Sequence, residues 1–251
     1  MLTMQELWLL LQEALPIMGK GVVWTLYLSV LAMLLGAVIG VCVAIIRVAR
    51  VPGLNALCRL YVSCMRGTPL LVQLFVLYYG LPSIGLQLEP LTAGVLGLGL
   101  NVGAYLSESL RGALQGVDQG QWLAAQSLGM RRVQILRYIV GPQAIRLALP
   151  SLSNSLISLV KDTSLVSVIA VTELMLATKE VIATTFQPFP LYLTAAVIYW
   201  IISLLLADHV LPSLGVQRFV HEIAHAVGVV VPVFSSYLGH KHLSFKLAGL
   251  P

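Results

Sequence analysis

The pattern His221-Glu222-Ile223-Ala224-His225 is where hydrolytic chemistry would first be sought in this chain. Histidines four residues apart share one face of a helix, and the glutamate between them could activate a zinc-bound water, as in a membrane metalloprotease. A catalytic zinc site also needs a third protein ligand. The candidates are Asp208, His240 and His242, and none carries a supporting motif. The apolar run from Ile223 to Phe234 is about 12 residues, too short to cross a bilayer. A short interfacial helix with no metal is the simpler reading. Cys42, Cys58 and Cys64 lie in or beside apolar stretches without metal spacing, and read as small packing residues.

A second set of reactive groups is scattered through long apolar stretches: Arg66, Glu108, Lys161, Asp162 and Glu173. Ionisable residues inside a membrane are costly, and by default they mark a pathway, a gate or a proton relay. Lys161-Asp162-Thr163-Ser164 interrupts one stretch, so Asp162 could balance Lys161 while Thr163 or Ser164 caps the helix beyond the break. A zwitterion suits such a place, because a helix N-terminus favours its carboxylate and an acid favours its amine. An ion-coupled secondary transporter using Glu108, Lys161 and Asp162 as a relay is a rival. Glu173, two to three turns further on, is expected near the outer face within reach of water.

These groups need a membrane to sit in, and the composition supplies it. Apolar residues make up 58% of the 251 and charged residues only 10%, against about a quarter charged in ordinary globular chains. A crossing takes about 20 apolar residues. Val22 to Ile46, Leu60 to Tyr79 (broken by Arg66-Gly67-Thr68-Pro69), Leu91 to Leu110 and Leu191 to Ala207 each qualify. Leu147 to Ala177 would reach roughly 46 Å as one straight helix, too long for a simple crossing, and a break is expected at Lys161 to Ser164. Five spans follow, in an all-α integral membrane fold.

Basic residues assign the sides. Eleven follow the first, third and fifth spans (Arg47, Arg50, Arg59, Arg111, Arg131, Arg132, Arg137, Arg146, Arg218, Lys241, Lys246), against Lys20 and Lys179 opposite. The N-terminus is then outside and the C-terminus cytoplasmic. Residues 1–18 hold Glu6 and Glu13 and no basic residue, unlike a cleaved signal. Leu7, Leu10, Leu11 and Leu15 suggest an amphipathic helix lying on the outer surface. Gly36 with Gly40, Gly99 with Gly103, and Gly112 with Gly116 have the spacing that lets helices approach closely in lipid. No nucleotide-binding glycine loop is found, so any ATP must be bound by another subunit.

The loop from about Gly112 to Arg146 joins the third and fourth spans. Gln121 to Leu128 reads as a short helix stopped by Gly129, and Val133 to Val140 as a second helix before Pro142. Two readings fit: a docking surface for a soluble partner, or a solvated connector that merely carries its arginines.

Within this loop Leu123-Ala124-Ala125, Gly129, Ile139 and Pro142 resemble the signature of permease subunits of bacterial ABC importers. That pattern is Glu-Ala-Ala, three residues, Gly, nine residues, then Ile-x-Leu-Pro. The spacing matches throughout, with Leu123 in place of the usual Glu and Gly141 in place of the usual Leu. Arg66 to Phe75, Gly103 to Glu108 and Lys161 to Ile169 narrow the resemblance to the polar amino acid branch, which is histidine/glutamine/arginine permease-like. It covers roughly Gly19 to Asp208.

The resemblance implies a type I permease domain over 19–208 with a coupling loop at 112–146, and a cytoplasmic tail at 209–251 that lies outside the pattern. It implies no enzyme and no cofactor on this chain. Two ATPase subunits would bind ATP and dock on the loop from the cytoplasm. A second permease, the same or a sister chain, would complete the pathway. A periplasmic or lipid-anchored binding protein would deliver a polar amino acid across the bacterial inner membrane, with no nucleic acid involved. Ala124 and Ala125 would allow close approach to the ATPase. Arg66, Glu108, Lys161, Asp162, Thr163 and Ser164 are the candidates for pathway or gate.

Overall fold

The computed structural model describes residues 3–210, with side chains to Asp208. The His221 to His225 pattern and the tail from 211 onward lie outside the described residues. Every regular element described is helical.

Helix α1 runs from Met4 to Ala49, 46 residues, or roughly 69 Å at 1.5 Å per residue. Its start is fixed reciprocally. Thr3 Oγ1 accepts the Glu6 backbone N–H at 3.3 Å, and the Glu6 carboxylate accepts the Thr3 N–H at 2.7 Å. A separate surface helix over 1–18 was expected; from Met4 onward the residues are continuous with the first apolar stretch in one helix, and Pro16 is carried inside it. The leucine periodicity has another cause. Leu10, Ala14 and Met18 share a face that packs on protein, while Trp8 and Leu9 stay exposed. The helix ends where Arg50 turns left-handed at φ 53°.

Helices α2 (Leu54–Gly67) and α3 (Leu70–Phe75) meet at an angle of 108°, α3 continuing through a wider turn and a tight one to Ile84. Pro69 forces the bend, since a proline cannot donate and pushes the preceding residue, Thr68, out of helical geometry (ψ 147°). Helix α4 (Pro90–Gly116) packs along α1. A Cβ on Gly36 would overlap Val102, and one on Gly40 would stand 2.8 Å from Leu106 Cβ. A Cβ on Gly99 would stand 2.6 Å from Leu35. Pairing numbers rise together along both helices, so α1 and α4 run parallel. Gly112 and Gly116 make no close approach: a Cβ at Gly112 meets nothing within 4 Å, and one at Gly116 is 3.9 Å from Leu147.

Helix α5 (Gln119–Ser127) is the short loop helix, and α6 (Arg132–Ile135) starts the return. The expected end before Pro142 does not occur. A wide turn at Leu136–Val140 carries α6 directly into α7 (Gly141–Asp162). A Cβ at residue 141 would overlap the Leu136 carbonyl, so this bulged backbone requires the glycine that departs from the family pattern. After Asp162 the chain tightens into a 3-10 turn, Thr163–Ile169, and resumes as α8 (Leu174–Thr185) and α9 (Pro188–Leu205).

By length and hydropathy alone, α1 and Pro188–Asp208 qualify as spans, with the bent α2–α3 pair a third. Helices α4 and α7, 27 and 22 residues long, have enough length but contain glycine, asparagine, serine and charge. That composition suits helices covered by protein rather than lipid. Leu28, Ala32, Leu74, Leu98, Val102 and Leu106 form the main core between α1, α3 and α4. Ala14, Met18, Leu174, Leu191 and Ala195 form a second cluster where α1, α8 and α9 meet.

Candidate functional site

The two helix breaks and the two polar central helices meet at one cavity of about 660 Å³. The α2–α3 bend frees backbone carbonyls that lipid could not satisfy, so side chains must. Gln73 Nε2 donates to the Met65 and Thr68 carbonyls at 2.9 and 3.1 Å, and Asn101 of α4 donates to the Met65 carbonyl and to Gln73 Oε1, both at 3.1 Å. This network holds the bend against α4 and presents Arg66 to the cavity. The Arg66 guanidinium lies 5.2 Å from the centre of the Tyr105 ring, within cation–π range.

Of the residues expected in a pathway, Arg66, Glu108 and Asp162 line this cavity, whereas Lys161, Thr163 and Ser164 do not. Lys161 is exposed and makes no ion pair with Asp162 among the described residues. Side chains one residue apart on a helix diverge, and only Asp162 faces the cavity. The relay through Glu108, Lys161 and Asp162 is therefore not assembled. Thr163 does not cap a following helix. Its hydroxyl returns to the Val160 carbonyl at 2.7 Å, and the 3-10 turn continues from α7 without orphaned donors to satisfy.

Glu108 is engaged on both oxygens. Arg47 from the end of α1 pairs with Oε1. Arg111, one turn on, holds Oε2 through Nε and Nη2 at 3.1 and 2.7 Å. All three side chains are largely shielded from solvent, so the cluster clamps the ends of α1 and α4 together beside the cavity.

Sequence reasoning missed the neutral part of the lining: Asn101, Tyr105 and Ser109 on α4, and Ser151, Asn154, Ser155 and Ser158 on α7. The signal was present. Positions 101, 105, 108 and 109, and positions 151, 154, 155, 158 and 162, recur at helical spacing and put polar groups along one face of each helix. Ser109 and Ser151 hydroxyls touch across the two helices at 2.6 Å.

Glu173 overturns its expectation. It is fully buried rather than solvated. Oε2 accepts the Met175 N–H at 2.9 Å and the Tyr199 hydroxyl at 2.6 Å, and Oε1 accepts the Leu176 N–H at 2.9 Å. It is thus the N-cap of α8 that Thr163 or Ser164 was expected to supply, and it ties α8 to α9. The Leu174 N–H donates to Thr25 Oγ1 of α1 at 3.2 Å, so all three helices meet here.

In the loop, Gly129 sits at φ +73°, a left-handed turn that glycine adopts without strain. Leu123, Ala124 and Leu128 are exposed, as are Arg131, Arg132 and Val133. Ala125 points the other way, into a small core with Val117, Ile135 and Val140, against which Ile139 also packs, while Pro142 is exposed. Helix α4 reaches Gly116, α5 follows at Gln119 and α6 at Arg132, so the loop expected over 112–146 holds short helices joined by brief linkers.

The model of the family described as binding-protein-dependent transport system inner membrane component matches residues 32–208. The L-cystine transport system permease protein TcyB of Bacillus subtilis (strain 168) is 41% identical over 202 residues, 80% of this chain and 86% of the relative. The glutamine transport system permease protein GlnP of Escherichia coli (strain K12) is 36% identical over 206 residues, 81% of this chain and 94% of the relative. Among solved structures, the crystal structure of an amino acid ABC transporter with histidines matches with a TM-score of 0.77 at 34% identity, over 81% of this chain and 95% of that one. An inward-facing MetNI methionine ABC transporter matches with a TM-score of 0.67 at 19% identity, over 78% and 95%, and shares the fold.

Proposed function

This chain belongs to the family of binding-protein-dependent transport system inner membrane components, and on that footing we propose that it conducts a polar amino acid into the cytoplasm. It is the membrane permease of an ABC importer and not itself an enzyme. The observation that carries the substrate reading is the cavity where two helix breaks and two polar helix faces converge. Arg66 offers a cation for a carboxylate, and Asp162 offers an anion for an ammonium. A crossing substrate loses most of its water, so its charges need such partners. Relatives named for glutamine and L-cystine transport support an amino acid as cargo.

Coupling belongs to the α5 loop. Leu123, Ala124 and Gly129 would meet an ATPase subunit that binds the ATP, and the exposure of Leu123, Leu128 and Val133 on a water-facing loop supports this. Ala125 and Ile139 act from beneath by holding α5 and the α6–α7 junction in register, and Pro142 opens α7. Leu123 in place of the family's acid removes one polar contact of the exposed kind, worth about 0–1 kcal/mol, so coupling survives. A second permease chain and an external binding protein complete the assembly. The arginines of the loop support a cytoplasmic position for it, with the N-terminus outside. The metalloprotease reading of His221 to His225 has no support from the family.

Co-expression of the tagged chain with a candidate ABC ATPase from the same genome, followed by purification and ATPase assay, tests this. The ATPase should co-purify, and substrate-loaded binding protein should raise its turnover in proteoliposomes while the amino acid accumulates inside. A chain that purifies folded but never retains an ATPase would overturn the proposal.

A further inference from the structure

We infer that the cavity selects a zwitterion whose side chain is uncharged and hydrogen-bonding, and discriminates against cationic and anionic amino acids. The inference rests on the reading that the cavity is the substrate site, and it follows from counting the charges on the wall. Arg66, Glu108 and Asp162 are its charged lining residues. Glu108 is not available to a ligand, because Arg47 and Arg111 occupy both of its oxygens. Arg66 and Asp162 have no ion-pair partner among the described residues. One cation and one anion remain, which matches one α-carboxylate and one α-ammonium and leaves nothing over.

The rest of the wall answers a side chain with neutral groups. Asn154 and Ser158 can donate and accept, while Asn101 and Ser155, whose donors are already engaged, still accept, so an amide or hydroxyl finds partners in either direction. A guanidinium or a second carboxylate would enter with no opposite charge left to meet it. A charge desolvated without a partner is disfavoured strongly enough to separate ligands by orders of magnitude.

The engaged state of Glu108 makes the inference testable by gain of function. Arg111 lies outside the cavity lining, and removing its charge leaves Glu108 with Arg47 alone and one oxygen free. The full-length chain, reconstituted in nanodiscs, is titrated with tritiated L-glutamine, L-arginine and L-glutamate in a scintillation proximity assay. The untouched protein should bind L-glutamine at least about tenfold more tightly than either charged amino acid. Arg111→Gln should narrow the gap between L-arginine and L-glutamine by about tenfold, and Arg111→Lys, which keeps the charge, should not. Size-exclusion profiles and helical circular dichroism establish that each variant is folded. Equal binding of L-arginine and L-glutamine by the untouched protein, still weakened by Arg66→Gln and Asp162→Asn, would overturn the selectivity alone. An unchanged gap in folded Arg111→Gln would do the same. Amino acid binding indifferent to Arg66→Gln and Asp162→Asn, or no binding at all, would overturn the cavity as the substrate site and the selectivity with it.

Discussion

Removing the Glu173 carboxylate should unfasten α8 from α9, and Tyr199 allows the damage to be traced to that contact. In Glu173→Ala three donors lose their acceptor: the Met175 and Leu176 N–H groups and the Tyr199 hydroxyl. Loss of an N-cap costs about 1 kcal/mol, and a hydroxyl left buried without a partner costs about 1–3 kcal/mol more. A total of about 3 kcal/mol corresponds to a melting temperature lower by about 6–12 °C at 2–4 °C per kcal/mol for a chain of this size. Glu173→Gln keeps one oxygen. If it stays where Oε2 was, only the Leu176 N–H is orphaned, and a cost of about 2 kcal/mol lowers the midpoint by about 4–8 °C. The decisive comparison adds Tyr199→Phe. Alone, that change should destabilise by about 1 kcal/mol, but in the Glu173→Ala background it removes the orphaned hydroxyl and should restore part of the lost stability. Thermal unfolding in detergent, followed by a thiol-reactive dye on the buried Cys58 or by fluorescence-detected size exclusion, reads the parent and all four variants. A melting temperature for Glu173→Ala within about 2 °C of the parent, or Tyr199→Phe destabilising both backgrounds alike, would refute the reasoning.

Three further outcomes are expected. Gly129→Val should uncouple ATP hydrolysis from uptake while leaving the chain folded, because no side chain crowds the site but the left-handed backbone costs a β-branched residue about 1–2 kcal/mol; normal uptake with an assembled ATPase would contradict it. Gly36→Leu should force α1 and α4 apart, lowering the yield of monodisperse protein and stability by at least about 1–3 kcal/mol, whereas Gly112→Leu, where a Cβ meets nothing, should be tolerated. Asp162→Asn should cut amino acid uptake in proteoliposomes at matched protein levels, and Lys161→Gln should leave most of it, since only the first residue lines the cavity.

Much of this molecule was legible along the chain because lipid imposes local rules. A helix in hydrocarbon must be apolar over about 20 residues and must satisfy its own backbone, so apolar runs and their interruptions at Arg66 to Pro69 and Lys161 to Ser164 mark spans and breaks directly. The bend at Thr68-Pro69 follows from the covalent geometry of proline, and the turn at Gly129 from the absence of a Cβ. The close approach of α1 and α4 was foreshadowed by two of the three glycine pairs. What a single chain pattern does not carry is the partner of each side chain. Whether Asp162 meets Lys161 or a cavity depends on which face of α7 turns toward α2 and α4. Glu173 looked solvated because its neighbours in sequence lie near a span end; Tyr199, 26 residues later, and Thr25, 149 residues earlier than Leu174, are what bury and satisfy it. The helical stripes of Ser, Asn and Tyr on α4 and α7 were in the sequence as spacing, yet they become one site only when α4 and α7 pack together across Ser109 and Ser151. Burial and hydrogen-bond partnership are decided between helices, and only the tertiary structure decides those pairings.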